Sequence, residues 1–139
     1  MMQHGKTILI IDDDKDFQTI LKVTFNKSGF SVRSLFDGEI SPTFQERPYP
    51  DVILLDVDLP YANGVEVGKQ LKSNESTKDI PVIMVSANPY VDELSKEVGA
   101  TDYVQKPFSI STLIQKVQES LSRSWYRNVS GSEESEPAV

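Results

Sequence analysis

Short apolar runs alternate with segments of helical spacing along most of this chain, and this alternation predicts an α/β fold. The runs at residues 6–11 and 51–56 are rich in Ile, Leu and Val, which is typical of strands buried on both faces of a parallel sheet. Shorter apolar runs predict three further strands, at residues 30–35, 81–85 and 101–105. Strands that alternate with helices favour right-handed βαβ units around one parallel sheet.

The first helix is expected to follow the first strand. It begins after a cap at Asp13 or Asp14, because an Asp side chain accepts the free backbone N–H groups at a helix start. It ends at Gly29, since glycine readily adopts the left-handed conformation that is common after a helix. Its buried stripe is predicted to contain Phe17, Ile20, Leu21, Thr24 and Phe25.

The middle of the chain carries weaker helical signals. A short second helix is expected around residues 40–46, where Pro42 interrupts the pattern. A loop from Leu59 to Gly64 precedes the third helix, which is predicted over residues 65–73.

Two more helices are predicted in the last third of the chain. Asn88 and Pro89 suit the cap and the first position of the fourth helix, which ends at Gly99. Ser109 is expected to cap the last helix.

The side chains able to do chemistry stand at the ends of the predicted strands. Asp12 and Asp13 follow the first strand, and Asp56 ends the third. Ser86 follows the fourth strand and Lys106 the fifth. Because the carboxyl ends of parallel strands share one edge, where open α/β sheets bind ligands, these five side chains are expected to form one acidic pocket.

Three carboxylates in one pocket require a counter-charge. They repel one another, and one stays protonated unless a cation is present. Mg²⁺ suits carboxylate oxygens, with Mn²⁺ as a substitute. The alternative is that the run Asp12–Asp14 only caps a helix in solvent. The run alone supports both interpretations equally, and Asp56 at the same edge favours the metal site.

Lys106 and Ser86 each have a functional and an ordinary interpretation. Lys106 can bind an anion or an Asp, whereas most lysines are simply exposed. Pro107 argues against a merely exposed lysine, because it restricts the backbone before it and permits a cis bond. Ser86 can donate a hydrogen bond to a phosphoryl oxygen, or can be an ordinary residue before a helix.

Composition limits the class of protein. The 139 residues suffice for one domain, and the absence of cysteine excludes disulfides and thiolate sites. No apolar run approaches the roughly 20 residues that span a membrane, and residues 1–6 do not resemble a signal peptide, so a cytoplasmic protein is expected. The net charge of −7 disfavours non-specific binding to nucleic acid.

Four segments together resemble the receiver domain of bacterial two-component response regulators, such as the chemotaxis regulators. They are Ile8 to Asp14, Leu54 to Pro60, Val85 to Ala87 and Tyr103 to Phe108, and the resemblance extends over residues 6–122. It implies a flavodoxin-like, doubly wound fold with a five-stranded parallel sheet in the order 2-1-3-4-5, flanked by five helices.

The resemblance also implies a role for the acids. Asp56 matches the residue that accepts a phosphoryl group from a histidine kinase or a phosphotransfer protein. Asp12 and Asp13 match the acidic pair that binds Mg²⁺ together with Asp56, and the backbone carbonyl of Asp58 matches a further ligand.

The remaining matched positions concern the phosphoryl group and the response to it. Ser86, the backbone of Ala87 and Lys106 match the groups that bind the phosphoryl oxygens, and Lys106–Pro107 is the candidate cis peptide. Tyr103 matches an aromatic switch residue that moves together with Ser86; its alternative is an ordinary aromatic residue of a surface strand.

The resemblance implies a receiver domain over residues 6–124 and leaves residues 125–139 as an acidic tail that is expected to be disordered. Its partners are a phosphodonor and an unknown downstream protein, with no membrane and no nucleic acid bound by this domain alone. A homodimer through the fourth helix, fifth strand and fifth helix is also compatible with the family.

Two other functions compete with a phosphorylated switch. Asp56-Val57-Asp58 resembles the DxD signature of small phosphohydrolases, although its place on the third strand and the absence of a cap domain disfavour that function. A binding module that is never phosphorylated is disfavoured because every position of the site is present. One departure from the family is the short spacing of twenty positions from Ser86 to Lys106, which predicts a shortened fourth helix or leading loop.

Overall fold

The computed structural model describes residues 5–40, 49–59 and 62–129, with side chains up to residue 122, and its strands and helices alternate as predicted. In chain order the elements are β1 (Thr7–Ile11), α1 (Lys15–Lys27), β2 (Ser31–Leu35), β3 (Val52–Asp56), β4 (Asp58–Leu59), β5 (Ala62–Asn63), α2 (Gly64–Ser73), β6 (Val82–Ser86), α3 (Val91–Val98), β7 (Asp102–Gln105) and α4 (Ile110–Val129).

Five parallel strands form the central sheet in the order β2-β1-β3-β6-β7. This is the predicted order 2-1-3-4-5 when the strands of this sheet alone are counted, so the fold class is confirmed. Asp56 pairs with Val85, and Ser86 pairs with Gln105. The register therefore brings the ends of β3, β6 and β7 to the same level of one edge.

The sheet is buried on both faces. Ile8 and Ile10 of β1 join the core that includes residues of α1 and α4, whereas Leu9 and Ile11 join the core that includes residues of α2 and α3. Because successive side chains of a strand point to opposite faces, a strand between two helical layers needs apolar residues at every position. This explains the continuous apolar runs in the sequence.

Several helix ends lie where the sequence predicts them. The Asp14 side chain caps α1 by accepting the Phe17 N–H at 3.0 Å. Gly29 follows α1 with a φ of 94°, and Gly99 ends α3 with a φ of 82°. The Ser109 hydroxyl accepts the Thr112 N–H at 3.2 Å at the start of α4.

Other local predictions were wrong. The segment 59–64 is not a plain loop, because Asp58–Leu59 and Ala62–Asn63 pair as the antiparallel strands β4 and β5. Helix α3 begins at Val91 rather than Pro89, because the Asn88 side chain accepts the Tyr90 N–H in a local turn at 2.8 Å instead of capping a helix there.

The described residues contain four helices. The predicted short helix at 40–46 falls largely on residues 41–48, which lie outside the described part of the chain. Helix α3 has eight residues, in agreement with the short spacing between Ser86 and Lys106. Among the described residues, no helix combines the length and apolar character needed to cross a bilayer.

Candidate functional site

Three carboxylates meet at the carboxyl edge of the sheet. One carboxylate oxygen from each of Asp12, Asp13 and Asp56 lies within 4.8 Å of the others. Asp12 and Asp56 are only 2% and 7% exposed, whereas Asp13 is exposed to solvent. The predicted convergence of the acids is therefore present, with two charges inside the protein and one at its surface.

Asp56 is held by its own strand end. The backbone N–H of Asp58 donates to Asp56 Oδ1 at 3.1 Å. Burial raises the pKa of Asp56 from 3.8 to about 6, and the charge of Asp12 adds to the rise, while the hydrogen bond from Asp58 and the charge of Lys106 oppose it. Two buried acids therefore share one partly buried lysine, so acidic groups outnumber basic groups in this site.

Gly64 packs against the backbone of Asp56 and Val57. A Cβ added to Gly64 would clash with the backbone oxygen of Asp56 and with the backbone of Val57. The Gly64 N–H also donates to the carbonyl oxygen of Val57 at 2.9 Å. The start of α2 therefore packs directly on the backbone that carries the Asp56 carboxylate, which is why this position requires glycine.

Lys106 contacts one acid more closely than the other. Its Nζ lies 3.1 Å from Asp12 Oδ2 and 4.0 Å from Asp56 Oδ2. The same ammonium group lies over the Phe17 ring, 4.4 Å from the ring centroid. The Lys106–Pro107 peptide bond is cis, as the sequence suggested.

Ser86 is fully buried at the end of β6, and its hydroxyl has two partners. It donates to Asp58 Oδ2 at 3.2 Å and accepts the Asn88 N–H at 3.0 Å. The carbonyl of Ser86 accepts the N–H of Lys106 at 2.8 Å, so β6 and the end of β7 are joined here. The sequence did not predict this contact between the Asp58 side chain and Ser86.

Tyr103 lies on the opposite edge of the sheet from β2, partly buried against the core that includes residues of α2 and α3. Lys116 of α4 lies over its ring, with Nζ 5.5 Å from the centroid, and also pairs with Asp102 at 2.8 Å. Neither Lys116 nor Asp102 stood out in the sequence, because a Lys and an Asp in different elements show no common pattern.

The buried face of α1 differs from the predicted stripe. Its buried residues are Gln18, Leu21 and Phe25, and Ile20 is 54% exposed. Gln18 is thus a polar side chain in an apolar layer. The apolar periodicity could not reveal it, because a search for apolar residues passes over a glutamine.

The sequence matches the family described as the response regulator receiver domain over residues 8–118. The chain belongs to the receiver domain family of response regulators. The receiver domain is the phosphoacceptor switch of two-component signalling, so the family also shows the general role of the chain.

Relatives of this receiver domain include two transcriptional regulators. It is 36% identical over 121 residues to the phosphate regulon transcriptional regulatory protein PhoB of Pseudomonas aeruginosa, covering 86% of this chain and 53% of that protein. It is 37% identical over 122 residues to the alkaline phosphatase synthesis transcriptional regulatory protein PhoP of Bacillus subtilis, covering 86% of this chain and 50% of that protein. The chain thus spans about half the length of these curated relatives.

A solved structure with similar geometry is the receiver domain of the Francisella response regulator 1452. The two chains are 31% identical with a TM-score of 0.76, and the alignment covers 86% of this chain and 99% of the other. The similarity extends over nearly the whole of that receiver domain.

Proposed function

We propose that Asp56 accepts a phosphoryl group from a histidine kinase or a phosphotransfer protein, and that Ser86 and Lys106 convert this event into a changed protein-binding surface. The observation that carries the proposal is the placement of a buried carboxylate beside two further acids, with a lysine ammonium 4.0 Å from it. An Asp nucleophile, a counter-charge and room for a cation are the parts that phosphoryl transfer requires.

A divalent cation fits the acidic edge. Asp12, Asp13 and Asp56 supply hard oxygen ligands, and among the described residues the only cationic group in contact with them is the ammonium of Lys106. The carbonyl of Asp58 suits a further ligand, because in a strand the C=O and N–H of one residue point to the same side, and this N–H points to Asp56. Mg²⁺, or Mn²⁺ in its place, would neutralise charge on the transferring group.

The phosphoryl transfer itself requires little from the protein beyond positioning the reacting groups. A carboxylate oxygen of Asp56 forms a bond to phosphorus, and the bond from phosphorus to the donor nitrogen breaks, with its electron pair going to that nitrogen. Lys106 then exchanges its contact with Asp12 for the phosphoryl oxygens, which carry more negative charge. The backbone N–H of Ala87 follows Ser86 and supplies one more donor.

The response begins at Ser86. Its hydroxyl must leave Asp58 to reach a phosphoryl oxygen, and the Asn88 N–H, which donates to the same hydroxyl, must move or lose this bond. Asn88 lies in the turn that leads into α3, and its carbonyl accepts the Val91 N–H at 3.1 Å. A shift of Ser86 therefore shifts the start of α3. Tyr103 of the neighbouring strand β7 is the side chain proposed to move with it.

The proposed domain covers residues 6–124, and its surface suggests where the partners bind. The phosphodonor must reach the edge at which α1 begins, and α1 exposes Ile20 and Val23, at 54% and 51%. These exposed apolar side chains on the helix that begins at this edge are proposed contacts for a protein donor. The face of α3, β7 and α4 is proposed for the unknown downstream protein or for a homodimer, with no nucleic acid bound by this domain.

Acetyl phosphate, a small phosphodonor, tests this function without a kinase. With Mg²⁺, intact-mass measurement of the wild-type protein is expected to show one added phosphoryl group, and Asp56→Asn is expected to show none. A wild-type protein that stays unmodified would contradict the proposal.

A phosphate-release assay with phosphate esters, run beside the labelling with acetyl phosphate, separates a switch from an enzyme. The proposed switch catalyses only its own phosphorylation and dephosphorylation. A phosphohydrolase that uses Asp56 and Asp58 would instead release phosphate continuously from phosphate esters, and such turnover would show that the second function is the correct one.

A further inference from the structure

Gln18 is a buried polar residue that the proposed transfer does not use. It is 2% exposed on the inner face of α1. Its Nε2 donates to the carbonyl oxygens of Ile10 at 2.9 Å, Asp12 at 3.1 Å and Leu35 at 3.1 Å. One amide group therefore joins the end of β1, the loop that follows it and the end of β2.

These hydrogen bonds fix the backbone on both sides of Asp12. The Asp12 N–H donates to the carbonyl of Leu35 at 3.0 Å, and the Asp12 carbonyl accepts from Gln18. That carbonyl belongs to the peptide group linking Asp12 to Asp13. The orientation of this peptide group determines the direction in which both acidic side chains project. Gln18 restrains it with an amide whose two N–H groups are shared among three carbonyls.

Asp13 depends most on this support. Asp12 has side-chain partners in Lys106 and the N–H of Asp14, at 3.1 Å and 2.9 Å. For the exposed carboxylate of Asp13, by contrast, the described residues provide no hydrogen bond or ion pair that fixes it. The direction in which Asp13 projects is therefore set by its backbone, which Gln18 holds from the side of the core.

We infer that Gln18 is a positioning residue whose amide orients the Asp12–Asp13 peptide and thereby sets the affinity of the acidic pair for a divalent cation. The inference rests on the metal site of the proposed function and goes beyond it, because Gln18 itself touches neither the cation nor the phosphoryl group. Residues that orient metal ligands from behind commonly affect affinity strongly.

The test compares two substitutions on the same face of α1. Gln18→Met has nearly the same length and no N–H donor. Leu21→Ala removes a fully buried side chain one turn further along and leaves the three carbonyl contacts of Gln18 in place. Mg²⁺ alone is titrated into each full-length variant, and the amide NMR signals of the acidic residues report the Kd.

The expected result is a Kd for Mg²⁺ that rises about tenfold in Gln18→Met, as is typical when a partner that orients a ligand is lost. Leu21→Ala should keep the wild-type Kd even though it lowers the melting temperature. Without any metal, the Asp12 N–H should exchange with solvent faster in Gln18→Met than in wild type. A wild-type Kd in Gln18→Met, or an equal loss of affinity in Leu21→Ala, would overturn the inference.

A second variant keeps the test decisive if Gln18→Met does not fold. Gln18→Asn retains the amide but is one methylene too short to reach all three carbonyls, and it should raise the Kd in the same direction. A wild-type Kd in a folded Gln18→Asn would again overturn the role of Gln18. A wild-type protein that binds no Mg²⁺ would overturn the metal site itself, so the two failures are distinguishable.

Discussion

The two halves of the site are built differently. On the acidic side, the following contacts at the ends of β1 and β3 all include a backbone group: Gln18 and Leu35 bind the backbone of Asp12, the Asp58 N–H binds the Asp56 carboxylate, and the Gly64 N–H binds the carbonyl of Val57. On the responding side, around β6 and β7, backbone hydrogen bonds are present as well, but three pairs of side chains also contact each other. They are Ser86 with Asp58, Lys106 with Asp12, and Lys116 with Tyr103.

This difference suggests that the acidic side positions the reacting groups and that the other side responds to the phosphoryl group. The backbone groups of these contacts are not among those proposed to change partners, so we expect the acidic side to stay in place during transfer. Each side-chain pair on the responding side can be exchanged for a contact with the phosphoryl group or for another packing arrangement. Substitutions on the acidic side should therefore mainly affect the reaction, and substitutions on the responding side should mainly affect the switch.

Lys106 joins the two sides, and its loss should have the largest effect. Lys106→Met leaves Asp12 and Asp56 without a fixed counter-charge, so the rate of modification by acetyl phosphate should fall about a hundredfold. Time-resolved intact-mass measurement gives the rate. The control is Lys69→Met, which breaks an exposed ion pair with Glu97. Equal rates in the two variants would remove Lys106 from the reaction.

The charge of Asp56 on the acidic side should also affect the stability of the folded protein. The Asp56 pKa is about 6 in the folded protein and 3.8 in its ordinary state, so the folded form binds the proton more tightly. In metal-free protein, stability associated with this group is fully present below pH 3.8 and is lost as the pH rises through about 6. The difference corresponds to about 3 kcal/mol.

Asp56→Asn should therefore stabilise the metal-free protein by up to about 3 kcal/mol at pH 8 and have little effect at pH 3.5. Urea unfolding in the presence of a chelator measures this. The control Asp79→Asn, at an exposed acid, should change stability by less than about 0.5 kcal/mol. An Asp56→Asn protein as unstable as wild type at pH 8 would show that Asp56 is not a strained buried charge.

The contact between Asp58 and Ser86 should oppose switching. Asp58→Ala frees the Ser86 hydroxyl, so beryllofluoride, which mimics the phosphoryl group, should bind about two- to tenfold more tightly at saturating Mg²⁺, as expected for one hydrogen bond. Asp58→Asn keeps an acceptor oxygen and should bind like wild type. If Asn and Ala have the same effect, charge rather than the hydrogen bond is responsible.

The smallest effect is expected at Tyr103. Lys116→Met removes the cation from its ring, an interaction of about 0.5–1 kcal/mol at an exposed site. If this contact holds Tyr103 in its resting position, beryllofluoride should bind about two- to fivefold more tightly to the variant. Tyr103→Leu combined with Lys116→Met should show no further gain from the lysine change. An additional gain would show that Lys116 acts through Asp102 instead.

Sequence patterns predicted the parts of the fold that depend on repeated spacing. The five parallel strands and the convergence of Asp12, Asp13 and Asp56 follow from apolar runs that end in acids. The hairpin of β4 and β5 was missed because strands of two residues have no periodicity to detect. The α3 start was misplaced because Asn88 binds its own turn.

Two contacts of the site were missed because they join residues distant in the chain. They are the contact of Gln18 with Leu35 and that of the Asp58 carboxylate with Ser86. Such contacts exist only after the sheet has brought strand ends together, and a single sequence carries no sign of them. The reactive side chains at the strand ends could therefore be predicted from the sequence, whereas the residues that hold them in place could not.

The central claim is that a phosphoryl group on Asp56 is detected by Ser86 and Lys106 while the acidic side stays in place. Two-dimensional NMR of the protein with Mg²⁺, before and after beryllofluoride, tests it most directly. We expect large shifts for Ser86, Ala87, Lys106 and Tyr103, slow exchange of the Asp12 N–H in both states, and no shifts in Asp56→Asn. Unchanged signals at β6 and β7, or the same shifts in Asp56→Asn, would contradict it.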